Sequence, residues 1–195
     1  DQDTFVRYID TIAKHAGDIG KMVEEFVSFA RMPTPVFSNE DVAGILKKAV
    51  FSAQVANPGI DFDQHICEQE LVMRCDERQL TQVFTNLLKN AAEAVEARLA
   101  QNPEPKGKIR VELAGRTNGI HITVEDNGTG FPTGDTQKLL EPYVTTRSKG
   151  TGLGLAIVKK IVEDHKGLIN LENISTGGAR VVLSFLQHCD INAAT

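Results

Sequence analysis

Apolar or small residues recur in alternating steps of four and three from Phe5 through Ile9, Ile12, Ala16, Ile19, Val23 and Phe26 to Ala30, which is the seam of a heptad helix. Arg7, Asp10, Lys14, Asp18, Lys21 and Glu24 lie between them and form a solvated face. Met32-Pro33-Thr34-Pro35 stops the pattern, because proline lacks an amide hydrogen and pushes its predecessor out of helical geometry. A helix of about 26 residues is ~39 Å long and cannot bury its own stripe. Residues 1–35 therefore read as half of a helical hairpin or dimer bundle. His15 flanks the stripe with no second ligand or adjacent acid, so it reads as a half-exposed bundle histidine.

Beyond the prolines the period changes repeatedly. Ser38 with Asp41 has the form of a capping box, and Val42, Ile45, Leu46, Ala49, Val50 and Ala53 follow at helical spacing until Asn57-Pro58-Gly59. Ile60, Phe62 and Ile66, then Leu71-Val72-Met73, suggest a strand pair turning at Glu68-Gln69-Glu70. Asp76 with Gln79 is a second capping box, opening a helix on Leu80, Val83, Phe84, Leu87, Leu88, Ala91, Val95 and Leu99 that ends between Asn102 and Gly107. Ile109, Val111 and Leu113 alternate up to a turn at Asn118-Gly119, and Ile120, Ile122 and Val124 alternate back. A last helix carries Leu155, Ile157, Val158, Ile161 and Val162 and closes at Lys166-Gly167; Ile169 and Leu171 then pair with Val181, Leu183 and Phe185 around Thr176-Gly177-Gly178. The order predicts an α+β fold: a two-layer sandwich of a mixed, mostly antiparallel sheet with three helices on one face, preceded by the long bundle helix.

Composition narrows the function classes. The 195 residues allow one full domain with an appendage, and 21 Lys+Arg against 26 Asp+Glu give a net charge of −5, the wrong sign for bulk binding to nucleic acid. Cys67, Cys75 and Cys189 are odd in number and form no C-x-x-C, which predicts a reducing compartment and neither disulfides nor a zinc knuckle. No transmembrane run or signal peptide is present, and Asp1 in place of Met suggests a cut from a longer protein.

Three stretches carry candidate chemistry. No P-loop exists, and Leu155 breaks the G-x-G-x-x-G pattern begun at Gly150. Asn86 and Asn90 leave one face of the central helix with Lys89 at its edge. Amides can offer oxygen to a hard cation and nitrogen to a phosphate without a carboxylate's repulsion, although two helical asparagines are equally at home as exposed polar residues. Ala91 and Ala92 beside them would let a ligand approach closely. Asp126-Asn127-Gly128-Thr129-Gly130 follows a strand; it is either a plain Asp-Gly turn or a carboxylate that accepts from an exocyclic base amine while glycine backbone lies on the ring, a preference for adenine. Gly150-Thr151-Gly152-Leu153-Gly154 opens a helix and offers amides to an anion. Arg147 and Lys149 precede it in a loop whose length suits a lid, or are solvated surface charge.

In this order, N-x-x-x-N at Asn86 and Asn90, D-x-G-x-G at Asp126, Gly128 and Gly130, an aromatic at Glu141-Pro142-Tyr143, and G-x-G-x-G at Gly150, Gly152 and Gly154 closely resemble the catalytic, ATP-binding domain of bacterial sensor histidine kinases. Phe29-Ala30-Arg31-Met32-Pro33 resembles the end of the second helix of that family's dimerisation and phosphotransfer hairpin, most like nitrogen-regulation sensors of the NtrY type. The resemblance implies a GHKL-type (Bergerat) ATP-binding fold over residues 36–187, the incomplete hairpin over 1–35 and a tail over 188–195. It implies Mg-ATP or Mg-ADP as ligand, with Asp126 on the adenine amine, Asn86 and Asn90 on phosphates and Mg²⁺, and Lys89 on a phosphate. Arg147, Lys149, Gly150, Thr151, Gly152, Leu153 and Gly154 would form the lid. Tyr143 would take the apolar packing role of the family's usual Phe. The implied function is transfer of the γ-phosphate to a histidine for relay to an aspartate of a response-regulator receiver domain. The parent would be an inner-membrane sensor that forms a homodimer through the bundle helix, and this chain a cytoplasmic segment of it without nucleic-acid partners.

The family's acceptor histidine is followed at once by an acid and soon by Asn-Pro. Here His15, His65, His121, His165 and His188 are followed by Ala16, Ile66, Ile122, Lys166 and Cys189. The chain is therefore expected to begin after the acceptor helix and not to phosphorylate itself. Two rivals remain. An ATP-hydrolysing machine of the Hsp90 or MutL type, like a serine-kinase relative, would need a Glu base where Asn86 stands, and an amide cannot take a proton from water near neutral pH. A non-catalytic dimerisation and docking module that binds ATP without phosphoryl transfer fits the same motifs.

Overall fold

A computed structural model describes residues 2–68, 70–116, 119–145 and 151–186. Helix α1 (Gln2–Ala30) carries the heptad stripe, and Phe5, Ile9, Ile12, Ile19, Val23 and Phe26 are all exposed along it. After the prolines come β1 (Ser38–Asp41), α2 (Val42–Ala56), β2 (Asp61–Ile66), β3 (Val72–Cys75) and α3 (Glu77–Leu99). They are followed by β4 (Lys108–Arg116), β5 (Gly119–Asp126), a 3₁₀ turn (Thr136–Leu140), α4 (Gly154–Asp164), β6 (Gly167–Asn173) and β7 (Ala179–Phe185).

The main sheet has the order β2-β4-β5-β7-β6, with β2 parallel to β4 and every other pair antiparallel. Ile109, Val111, Leu113, Ile120, Ile122, Val124, Leu171, Val181, Leu183 and Phe185 alternate inward from it. They meet Ile45, Leu46 and Val50 of α2, Leu80, Phe84 and Leu88 of α3, and Ile157, Ile161 and Val162 of α4 in one buried core. The opposite face is polar. Lys108 pairs with Asp63 at 2.9 Å, and Arg180 clasps Glu172 at 2.8 Å and Glu125 from the neighbouring strand. Cys75 sits wholly inside, where burial, helped by the charges of Glu40, Asp76 and Glu77, pushes its thiol up to about 12. No helix among the described residues is long and apolar enough to cross a membrane.

Two local expectations are corrected. The β2–β3 hairpin does not form: β3 leaves the main sheet and pairs with β1, with Val72 opposite Asp41. Leu71 explains the divergence, since its N–H donates to Asp41 Oδ1 at 3.2 Å while its carbonyl accepts from Val42 N–H at 3.0 Å. The first capping box is displaced as well. Ser38 opens a strand, and Asp41 itself caps α2, accepting from Ala43 and Gly44 amides at 3.1 and 2.9 Å.

Asp76 has the wider reach. Its Oδ1 caps α3 through the Arg78 and Gln79 amides at 3.0 and 3.1 Å, and its Oδ2 accepts from Val36 N–H at 2.9 Å. Its own N–H donates to His165 Nε2 at 3.0 Å, which leaves Nδ1 to donate to Ile161 O at 2.8 Å. Gln79 does not return to its cap; it donates to Pro33 O at 2.9 Å. Together these bonds tie the linker after α1 to the start of α3 and the end of α4.

Burial alone would raise the Asp76 carboxyl, but the Val36 and Gln79 amides and the Arg78 guanidinium outweigh it and hold the group below the usual carboxylate range. A depressed carboxylate contributes stability that is complete above the unfolded value of about 3.9 and is lost as pH falls through the lower folded value. Asp76→Ala should therefore cost about 2 kcal/mol near neutrality, from the lost cap and the orphaned Val36 amide. Urea titrations should show that gap narrowing below about pH 4; a gap independent of pH would remove the carboxylate's charge from the account.

Candidate functional site

The site is built outward from α3. Its apolar face, from Leu80 to Val95, is locked into the core, which fixes the direction of the flank carrying Asn86, Asn90 and, one turn further, Ala94. Both asparagines are half-buried. Asn86 Nδ2 is enclosed with no hydrogen-bond partner among the described residues, and an unpaired buried donor costs about 1–3 kcal/mol. An acceptor oxygen brought by a ligand would remove that cost.

Two loops meet this flank. At the end of β5, Asp126 is 8% exposed and its Oδ1 accepts from Gly128 N–H at 2.8 Å. Thr129 N–H donates to Ala94 O at 3.2 Å, and a Cβ on Gly128 would lie 2.7 Å from Ala94 Cβ, so the D-x-G backbone rests directly on α3. Asn127 secures the loop's start: its Oδ1 accepts from Lys108 N–H at 2.8 Å and its Nδ2 donates to Lys106 O at 2.9 Å. Gly130 has φ 72° and lies against Asn173, while a Cβ on Gly178 would overlap the Asp126 carbonyl. The turn between β6 and β7 therefore packs directly against the Asp126 loop.

The second loop leads into α4. Tyr143 N–H donates to Gly152 O at 3.1 Å; both residues have positive φ, and a Cβ on Gly152 would lie 2.7 Å from the Tyr143 carbonyl carbon. Leu153 is a core residue, and its N–H donates to Thr151 Oγ1 at 3.3 Å. α4 opens at Gly154 with no side-chain cap at Leu153, and a Cβ on Gly154 would lie 3.9 Å from Asn90 Nδ2. The amides of that first turn and the positive end of the helix dipole thus open beside Asn90.

Asn86, Asn90, Asp126, Gly128, Gly130, Thr151, Gly152 and Gly154 accordingly gather around one flank of α3. Leu153 contributes its side chain to the core instead. Tyr143 meets Gly152 through its backbone N–H, and its ring is 60% exposed rather than packed as expected. Lys89 lines a cavity of about 380 Å³ between α2 and α3, with Ser52, Thr85, Glu93 and Glu96, away from Asp126. Arg147, Lys149 and Gly150 lie outside the described residues. Sequence reasoning missed Ala94, Asn173 and Gly178. The step from Asn86 to Asn90 continued by four would have found Ala94; the turn residues carried no signal beyond the turn itself.

The family described as "Histidine kinase-, DNA gyrase B-, and HSP90-like ATPase" matches residues 75–188. The nitrogen regulation protein NtrY of Azorhizobium caulinodans is 46% identical over 177 residues, which is 91% of this chain and 23% of NtrY. The chain thus spans about a quarter of that relative's length. The catalytic domain of the histidine kinase ThkA is 27% identical with a TM-score of 0.65, covering 77% of this chain and 95% of that one. Full-length ShkA in complex with AMPPNP shares the fold at 24% identity and a TM-score of 0.71, over 91% of this chain and 38% of that one.

The close approach of the D-x-G backbone to α3 is testable. Gly128→Ala must push the loop off Ala94 and should cost about 2 kcal/mol, whereas Gly59→Ala, with nothing within 4 Å of its Cβ, should stay within about 0.5 kcal/mol of wild type. Equal unfolding midpoints for the two variants would contradict the contact.

Proposed function

The chain belongs to the histidine kinase-, DNA gyrase B- and HSP90-like ATPase family, and from that premise we propose that it is the ATP-binding catalytic part of a two-component sensor histidine kinase. The observation that carries the reading is the unpartnered, buried Asn86 amide on the flank where the Asp126 loop and the opening of α4 meet α3. A donor in that position fits an anionic, oxygen-rich ligand, and the uncapped first turn of α4 beside Asn90 fits the same ligand.

In this reading the Asp126 carboxylate accepts from the exocyclic amine of adenine, and Gly128 and Gly130 let the loop backbone lie against the base. Guanine, with a carbonyl at that place, is disfavoured. Asn86 donates to phosphate oxygen, and Asn90 offers its amide oxygen to Mg²⁺, which when bound neutralises and orients the phosphates. The amides from Gly152 to Gly154 hold the phosphate tail; Arg147, Lys149 and Gly150 are assigned to it by the sequence pattern alone. Asn86 leaves the site without a carboxylate base for water, so the phosphoryl group passes to a protein acceptor rather than to solvent.

That acceptor is a histidine outside this chain's own five. His15 lies exposed on α1, His65 and His121 stand on the sheet strands β2 and β5, His165 is committed to Asp76 and Ile161, and His188, followed by Cys189, lies outside the described residues. In-line attack needs the imidazole at roughly 3–3.5 Å from the reacting phosphorus. The exposed stripe of α1 is covered by the partner helix of a dimerisation hairpin, and a receiver domain takes the phosphoryl group onward to an aspartate. The full-length protein is anchored at a membrane through segments outside these residues.

Two measurements test the reading. In calorimetry, Asp126→Ala should weaken ATP binding by about 1–3 kcal/mol, the cost of leaving a buried amine unpaired; wild-type affinity would take Asp126 out of the base site. Incubated with labelled ATP, the chain alone should acquire no acid-labile label. Label should appear on a separate acceptor hairpin, and Asn90→Ala should abolish it. Label on the chain itself that disappears in His15→Ala would overturn the assignment of the acceptor.

A further inference from the structure

The β6–β7 hairpin has no assigned part in the chemistry, yet its end lies on the base loop. Asn173 is the last residue of β6 and pairs with Ala179 at the final rung of the sheet. Its side chain adds a pairing outside that ladder, with the loop after β5. Asn173 Oδ1 accepts from Phe131 N–H at 2.7 Å, and its Nδ2 donates to Phe131 O at 3.0 Å. A primary amide offers a donor and an acceptor side by side, as a peptide group does, so this is in effect an extra β-rung between β6 and the loop. The same Oδ1 lies 2.9 Å from where a Cβ on Gly130 would stand. Behind it, Ile174 N–H donates to Gly178 O at 3.0 Å, closing the turn so that Gly178 abuts the Asp126 carbonyl.

The segment from Asp126 to Phe131 is thus held at both ends by an asparagine used in the same two-pronged way. Asn127 fixes its start to Lys106 and Lys108, and Asn173 fixes its end. We propose that Asn173 is a positioning residue for base recognition: by clamping Phe131 it holds the Asp126–Gly130 loop in its binding geometry before the nucleotide arrives. The proposal rests on the reading of this loop as the adenine site. Its physical content is preorganisation. A loop already ordered need not lose that freedom on binding, and the clamp acts on the loop that meets the base rather than on the amides of α4.

Removal of the clamp should therefore weaken contacts to the base and spare those to the phosphates. GTP, which shares the phosphates but cannot use the Asp126 acceptor in the same way, is the internal control. By calorimetry on this chain with Mg²⁺, Asn173→Ala should raise the Kd for ATP about five- to tenfold, the range expected for one or two exposed hydrogen bonds, while the Kd for GTP changes less than about twofold. The ATP/GTP ratio would contract accordingly. Asn173→Asp supplies a second, more conservative variant. It retains the acceptor for Phe131 N–H but sets a carboxylate against Phe131 O, so its ATP affinity relative to wild type should recover as pH is lowered and the introduced carboxyl gains a proton to donate. Parallel losses for ATP and GTP, unchanged ATP affinity in Asn173→Ala, or a pH-independent deficit in Asn173→Asp would each overturn the positioning role. Failure of the wild-type chain to prefer ATP over GTP would instead overturn the adenine reading itself.

Discussion

The structure depends on one constraint, the orientation of α3 about its own axis. Ten of its residues from Gln79 to Val95 are buried, and a helix packed so deeply can be rotated only by pulling a continuous apolar face out of the core. At about 25 cal/mol per Å² of apolar surface, even a partial rotation exposes several kcal/mol of burial. The flank that bears Asn86, Asn90 and Ala94 is therefore positioned by hydrophobic packing. This is why the Asn86 amide can remain unpartnered: the core outweighs the cost of one orphaned donor.

The same helix organises everything around it. Its N-terminus is held by Asp76, which also binds the linker through Val36 and the end of α4 through His165. Its middle faces the opening of α4, and its Ala94 turn supports the Asp126 loop. α4 is thus fixed at both ends relative to α3, by His165 at its C-terminus and by the packing of Gly154 beside Asn90 at its start. Phe37 stacks edge-on against His165 with ring centroids 5.1 Å apart, so the linker that leaves α1 is seated on the same junction. Residues 33–37 thus contact Asp76, Gln79 and His165, at the ends of the two helices that frame the site.

What the sequence made legible follows from how local each cue is. The periods of α2, α3 and α4, the hairpins β4–β5 and β6–β7, and the site's order of motifs all rest on residues within one element or one turn of each other. The failures are non-local. Ile60, Phe62 and Ile66 signal a strand but say nothing of its partner, and β2 joins β4 across the whole length of α3. Ser38 matched a capping pattern, but the pairing of β1 with β3 claimed it for a strand. Tyr143 could be recognised as an aromatic in the right place, not as a residue with positive φ, since nothing in its neighbours dictates that backbone.

The same distinction explains why Asn173 escaped notice while Asn86 did not. Asn86 has a sequence companion at i+4, and helical geometry alone turns that spacing into a shared face. Asn173 has its companion 42 residues away in Phe131, and an asparagine at a strand end before Thr176-Gly177-Gly178 reads as ordinary turn chemistry. Only the sheet, by running β6 beside β7 and β7 beside β5, carries the end of β6 to the loop that follows β5. The strand order is in this sense part of the site: it delivers a backbone-like amide to a loop that leaves the sheet immediately after Asp126 and would otherwise have lost its ladder partner at the point where a ligand has to meet it.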